Sequence, residues 1–225
     1  MTNKTNNHKN GFPTKKHVEG ISLVRISRIF SEFMSGFHFL DKYNKTVTFF
    51  GSARAKSNSE YYKEAFDLAF ALSKKGYTIV TGGGGGIMEA ANKGAYMAGG
   101  ESVGLNINLP HEQKLNKYVK HSISFRYFFI RKVMLTFASQ AYIFMPGGFG
   151  TLDEFFEITT LIQTKKIKKI PIILVHKDYW QPLFDWVQKT LYAEKKTISK
   201  NDMNIYRLVD SYEEALKKLT RQDKS

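Results

Sequence analysis

Five consecutive glycines at positions 82–86 follow the apolar run 77–80 with only Thr81 between. Glycine loses more backbone freedom on ordering than any other residue, so it propagates neither a helix nor a strand well. An apolar run that meets five of them must end in a loop. Two other apolar runs end in a similar way. Residues 47–50 stop at Gly51-Ser52, and residues 141–145 stop at Pro146-Gly147-Gly148-Phe149-Gly150-Thr151. Elsewhere the period shifts to that of helices. The spacing predicts helices over 59–75 (with Gly76 as its stop), 87–98, 125–140, 151–164, 179–192 and 212–220. It predicts further strands over 102–107, 170–175 and 205–209.

Strands of nearly continuous apolar character alternating with helices imply a parallel sheet covered on both faces. The fold class expected is therefore α/β, a Rossmann-like doubly wound parallel sheet in one domain spanning 21–225. Residues 21–40 place Leu23, Ile26, Ile29, Phe30, Phe33 and Phe37 at helical spacing. They predict an additional N-terminal amphipathic helix that covers the domain or meets a second subunit. Residues 1–20 are polar and basic and read as an unstructured tail. No internal repeat is evident.

The chain has 225 residues and no cysteine, which excludes a disulfide framework, a thiolate zinc site and a cysteine nucleophile. No apolar run approaches the roughly 20 residues that span a bilayer, and the N-terminus lacks an apolar signal region. A soluble cytoplasmic protein with no membrane partner is expected. Lys plus Arg exceeds Asp plus Glu, 34 against 20, for a net charge of +14. Much of that excess falls in the tail, in the 165–169 run and near the C-terminus, where solvated charge explains it; nucleic acid is not the expected partner. Six scattered histidines show no ligand spacing, so no metal is expected.

In doubly wound sheets ligands bind beyond the carboxyl ends of the strands, where all three glycine-bearing loops fall. Glycine lets backbone approach a ligand, and a following helix offers free N–H groups and the positive end of its dipole. One such loop is equally a tight strand-to-helix turn; three at one sheet edge point to a phosphate cradle. The P-loop pattern is absent, and G-x-G-x-x-G fits poorly because Ile87 takes its last glycine position from Gly82. Within the third loop, Glu154 is placed in the first turn of a helix capped by Thr151 or Gly150. An acidic residue is half expected there on dipole grounds alone. Arg131-Lys132 interrupts an apolar helix, so the pair emerges either at the ligand edge or as a snorkelled stripe.

Residues 146–154 resemble the PGGxGTxxE signature of the Lonely Guy family, the cytokinin-activating phosphoribohydrolases long labelled lysine decarboxylases. Arg131-Lys132 is similar to the family's Arg-Lys pair, and glycines 82–86 with Ile87-Met88-Glu89 resemble its earlier glycine loop. The resemblance covers about 45–191. The extra N-terminal helix and the 109–113 segment are similar to the longer bacterial type. The resemblance implies hydrolysis of the N-glycosidic bond of an adenosine 5′-monophosphate, N6-modified or plain as in an AMP nucleosidase. No cofactor is implied.

It further implies Glu154 as the catalytic carboxylate and Arg131 as the catalytic cation, with Lys132 beside them. The phosphate falls to Gly147, Gly148, Gly150 and Thr151. Ser52, Gly83, Gly84, Gly85 and Met88 join the pocket, and Glu112 and Thr160 are carried over to it. A homodimer or higher homo-oligomer is implied. Two alternatives stay open: a nucleotide- or cofactor-binding carrier without chemistry, and a nucleic-acid-binding protein whose affinity falls steeply with salt.

Overall fold

In the computed structural model, residues 23–108 and 114–222 are described. Among the described residues there are seven strands and seven α-helices, alternating except where the third strand is followed by the fourth. The strands are β1 (Thr46–Phe50), β2 (Thr78–Thr81), β3 (Ser102–Ile107), β4 (His121–Phe125), β5 (Ala141–Phe144), β6 (Ile172–Val175) and β7 (Tyr206–Val209). The helices are α1 (Leu23–Leu40), α2 (Glu60–Lys74), α3 (Ile87–Met97), α4 (Phe128–Phe137), α5 (Phe149–Gln163), α6 (Lys177–Trp186) and α7 (Tyr212–Gln222).

All pairings are parallel, in the order β4-β3-β2-β1-β5-β6-β7. The chain winds outward from β1 through β4, then returns to the other side of β1 as β5. The switch point therefore lies between β1 and β5, where a crevice opens beyond the strand ends. The Rossmann-like α/β reading holds.

Side-chain alternation across the pleat divides the core in two. Val47, Phe49, Ile79, Ile143 and Ile173 face α2, α3 and α7, where a small-residue helix permits close packing. A Cβ at Gly94 would lie 2.3 Å from the Phe66 carbonyl of α2, so only glycine allows that α2–α3 approach. On the other face Phe50, Val80, Tyr142, Phe144 and Leu174 pack against α4, α5 and α6. Phe155 from α5 lies at 5.5 Å from both Phe144 and Phe184.

The single helix expected over 125–140 is corrected: the segment splits into an edge strand, β4, and a shorter helix, α4. The aromatic run Tyr127-Phe128-Phe129 extends the helical pattern back to Phe125. In the fold Phe125 closes a strand whose other residues are largely exposed, because β4 pairs only with β3. The helix expected over 179–192 ends as α6 at Trp186 and passes into a π-helical segment, Val187–Glu194. The N-terminal helix forms. Glu32 on it accepts the backbone N–H groups of Arg126 and Tyr127 at 3.2–3.3 Å, satisfying donors at the start of α4. The readings of 1–20 as a tail, of residues 21 and 22 as helix, and of Glu112 as a pocket residue lie outside the described residues.

Candidate active site

The three loops meet through the backbone of Ser52. Its N–H donates to the Pro146 carbonyl at 3.0 Å, and its carbonyl accepts the Ile87 N–H at 3.0 Å. The ends of β1, β2 and β5 are thus stitched together by two hydrogen bonds. Gly86, at φ +64°, makes this possible: a Cβ there would stand 2.2 Å from the Ser52 carbonyl oxygen. The crevice they enclose is a cavity of about 620 Å³, a size usual for small-ligand sites.

Ser52, Met88, Arg131, Gly148, Gly150, Thr151 and Glu154 come together on its wall. Gly83, Gly84, Gly85, Gly147, Lys132 and Thr160 do not line it. The glycine loop after β2 turns instead to an internal network. Asn116 donates through Nδ2 to the carbonyls of Gly83 (3.1 Å) and Gly84 (2.9 Å) and to Oδ1 of Asn92 (2.9 Å), and Thr81 accepts the Gly83 N–H (2.9 Å). Thr160 is exposed. Six residues beyond Glu154, it stands about 240° further round the helix.

Glu154 is only 5% exposed, and its Oε2 is buried with no hydrogen-bond partner. Its place in the helix is corrected: α5 begins at Phe149 with Gly148 as N-cap, which puts Glu154 in the second turn. A dipole preference for acids at helix starts fades beyond the first turn, so capping does not account for it. Burial pushes its carboxyl up to about 7, against the opposing pull of Lys132 and Arg131. A carboxylate so poised is half ionised at neutral pH, the condition that suits a general base.

Arg131 reaches the site from α4. Its Nε donates to the Leu105 carbonyl at 2.9 Å, which fixes the guanidinium at the end of β3. A Cβ at Gly82 would lie 2.2 Å from Arg131 Nη2, so the first glycine of the run makes room for the cation. Lys132 points elsewhere. Its Nζ bonds Asp153 and stands 2.7 Å from Glu157 Oε2, along the flank of α5. Lys132 therefore acts on Glu154 through the field rather than from the cavity wall.

Thr151 Oγ1 packs against Gly147, where a Cβ would sit 2.1 Å away. Gly148, Gly150 and Thr151 present the start of α5 to the cavity; Thr151 donates its N–H to the Gly148 carbonyl at 2.9 Å, and the N–H groups before it at the helix start have no intrahelical acceptor and favour an anion. Several wall residues were not among the sequence candidates: Arg54, Phe128, Leu135 and Phe149. Arg54 follows Ser52 by two residues and donates its N–H to Ser52 Oγ at 3.1 Å. Its place just beyond β1, beside the switch point, was a usable signal. Phe128 and Phe149 carried none, since their 52% and 92% exposure makes them look like ordinary surface aromatics.

Residues 88–219, more than half of the chain, match the family described as "Possible lysine decarboxylase". The chain belongs to this family, the Lonely Guy family. A probable cytokinin riboside 5′-monophosphate phosphoribohydrolase of rice (Oryza sativa subsp. japonica) is 30% identical over 155 residues, 67% of this chain and 62% of that protein. A cytokinin riboside 5′-monophosphate phosphoribohydrolase of Arabidopsis thaliana is 29% identical over 181 residues, 79% of this chain and 82% of that protein. The match thus spans about three-fifths of the rice protein's length and four-fifths of the Arabidopsis protein's. Among solved structures, the molybdenum cofactor carrier protein of Chlamydomonas reinhardtii superposes with a TM-score of 0.63 at 17% identity, over 81% of this chain and 99% of that one; this likeness is one of fold.

The family's descriptive name implies pyridoxal phosphate held on a lysine. Among the described residues no lysine lines the cavity, and Lys132, the nearest in sequence to the site, is engaged by Asp153 and Glu157. The described residues do not fit that cofactor. As a Lonely Guy protein the chain instead offers an anion cradle, a buried carboxylate and a fixed guanidinium around one cavity. Among the described residues no helix is long and apolar enough to cross a membrane.

Proposed function

We propose that this chain hydrolyses the N-glycosidic bond of purine nucleoside 5′-monophosphates, with adenine either plain or N6-modified, to free base and ribose 5-phosphate. The observation that carries the reading is Glu154: a buried carboxylate whose Oε2 lacks a partner, on the wall of a cavity that also holds a helix start and Arg131. The relatives' names supply the substrate class, and this site supplies the parts that such a reaction needs.

The 5′-phosphate lies against the start of α5, at Gly148, Gly150 and Thr151, with Arg54 at the rim. Binding energy from this remote group positions the reacting bond. As C1′–N9 breaks, positive charge grows on the ribosyl carbon and negative charge on the base, as in glycoside hydrolysis. Glu154 stabilises that cation and takes a proton from the attacking water. The water oxygen bonds to C1′, and the departing base gains a proton. Arg131 balances the charge of Glu154 and orients it or the substrate. Phe128, Leu135 and Met88 give the base an apolar wall. A carrier would use the same cradle, but it has no need of a buried, half-ionised carboxylate.

The test is a chromatographic assay with AMP, isopentenyladenosine monophosphate and adenosine. Free base from either monophosphate, with little or none from adenosine, is the expected result. Intact nucleotide bound without release of base would transfer the reading to a carrier.

The same reading includes a homo-oligomer. Leu23, Ile26, Phe30, Met34 and Phe37 of α1 are 43–83% exposed, and Phe129 and Phe137 of α4 extend the same apolar face. Contiguous exposed apolar surface of this kind marks an interaction face. Light scattering is expected to give at least twice the 25.8 kDa chain mass; a monomer at micromolar concentration would overturn this.

A further inference from the structure

Tyr179 stands on α6, outside the cavity wall, yet its hydroxyl donates to the carbonyl of Gly147 in the cradle loop. The peptide joining Gly147 to Gly148 is trans and planar, so its N–H points opposite to its carbonyl. With the carbonyl held toward Tyr179, the Gly148 N–H is turned away from α6, and Gly148 is the residue of this pair that lines the cavity. Glycine on both sides leaves this peptide little steric preference for either sense. Reversed, it would present a carbonyl oxygen where an anion is to bind.

The tyrosine is itself firmly placed. His176, at φ +69°, caps α6, and its carbonyl accepts the N–H groups of Tyr179 (3.1 Å) and Trp180 (3.4 Å). The buried Trp180 donates Nε1–H to the Val175 carbonyl at 3.0 Å. The His176 ring is buried beside Glu64, Nε2 to Oε2 3.2 Å, and lies edge-on to Tyr61. The start of α6 is thus tied to both β6 and α2. Tyr179 itself is 41% exposed, so water would satisfy its hydroxyl and the fold does not require the bond.

We propose that Tyr179 is a positioning residue for substrate phosphate: it fixes the sense of the 147–148 peptide so that the Gly148 N–H faces the anion. This rests on the phosphoribohydrolase reading insofar as the anion is the 5′-phosphate. The test is Tyr179→Phe, which removes one oxygen and leaves the ring. By calorimetry, inorganic phosphate should bind about fivefold to tenfold more weakly than to the wild type, the effect of one neutral hydrogen bond, while adenosine binds unchanged. In turnover of AMP the same factor should appear in KM, with kcat nearly unaltered and the melting temperature unmoved.

Phosphate and adenosine weakened alike, or a lowered melting temperature, would make the role structural and overturn the proposal. So would unchanged phosphate binding. A wild type that binds phosphate without hydrolysing AMP would sink the functional reading alone, because the calorimetric comparison would still decide Tyr179.

Discussion

Glu154→Gln is expected to lose hydrolysis of nucleoside monophosphates by about 10²–10⁴-fold, the usual contribution of a general base, and to gain stability above neutral pH. The two effects share one cause. Burial raises the Glu154 carboxyl from 4.5 to about 7 in the folded protein, so the folded state holds this proton after the unfolded state has released it. The stability this contributes is fully present below about pH 4.5 and is lost as pH rises through about 7. By pH 8 the buried charge costs about 3 kcal/mol at 1.36 kcal/mol for each pKa step. Glutamine has nearly the same shape and never ionises, so it escapes that cost.

The variant should therefore melt several degrees above the wild type at pH 8 and nearly with it at pH 4.5. Wild-type turnover should rise with pH through about 7 and then level, because the working form of Glu154 is the carboxylate. Near-normal turnover in Glu154→Gln would remove the residue from the mechanism. Parallel melting curves across pH would show that its carboxyl titrates like an exposed one.

The layout of the fold was open to reading because its signals are local. Apolar strands ending at Gly51, Gly82 and Pro146 mark the carboxyl edge whatever their order in the sheet, and most helices fall within a few residues of their expected bounds. β4 escaped because an edge strand has one neighbour and needs little apolar character; His121, Ser122 and Ser124 carry none. The site was legible where chemistry demands rare placements, as with an Arg-Lys pair in an apolar helix or an acid after a glycine loop.

The division of labour between Arg131 and Lys132 was not legible. Adjacent helix positions point about 100° apart, and only the packing of α4 on α5 turns Lys132 to Asp153 and leaves Arg131 over Gly82. Gly83 and Gly84 looked like cradle residues because glycine there permits a close approach. The close approach is real, but it is made by Asn116, a residue far along the chain that no spacing rule connects to them.

Arg131→Ala is expected to move the pH–rate profile to the alkaline side and also to lower its plateau. Arg131 and Lys132 are the two cations that hold the Glu154 carboxyl down against burial. Without the guanidinium, less opposes the desolvation and the carboxyl titrates above its present value near 7, so less of it is ionised at neutral pH. That change alone shifts the midpoint and is recovered by raising the pH. A contact between Arg131 and the substrate adds a loss that pH does not restore. Lys132→Met separates the two effects, because Lys132 acts on Glu154 from outside the cavity: its profile should shift while the plateau survives. A plateau preserved in Arg131→Ala would confine Arg131 to tuning Glu154. Midpoint and plateau both unchanged would take it out of the site, since a cation fixed by Leu105 over Gly82 cannot be removed silently if it faces the reacting bond.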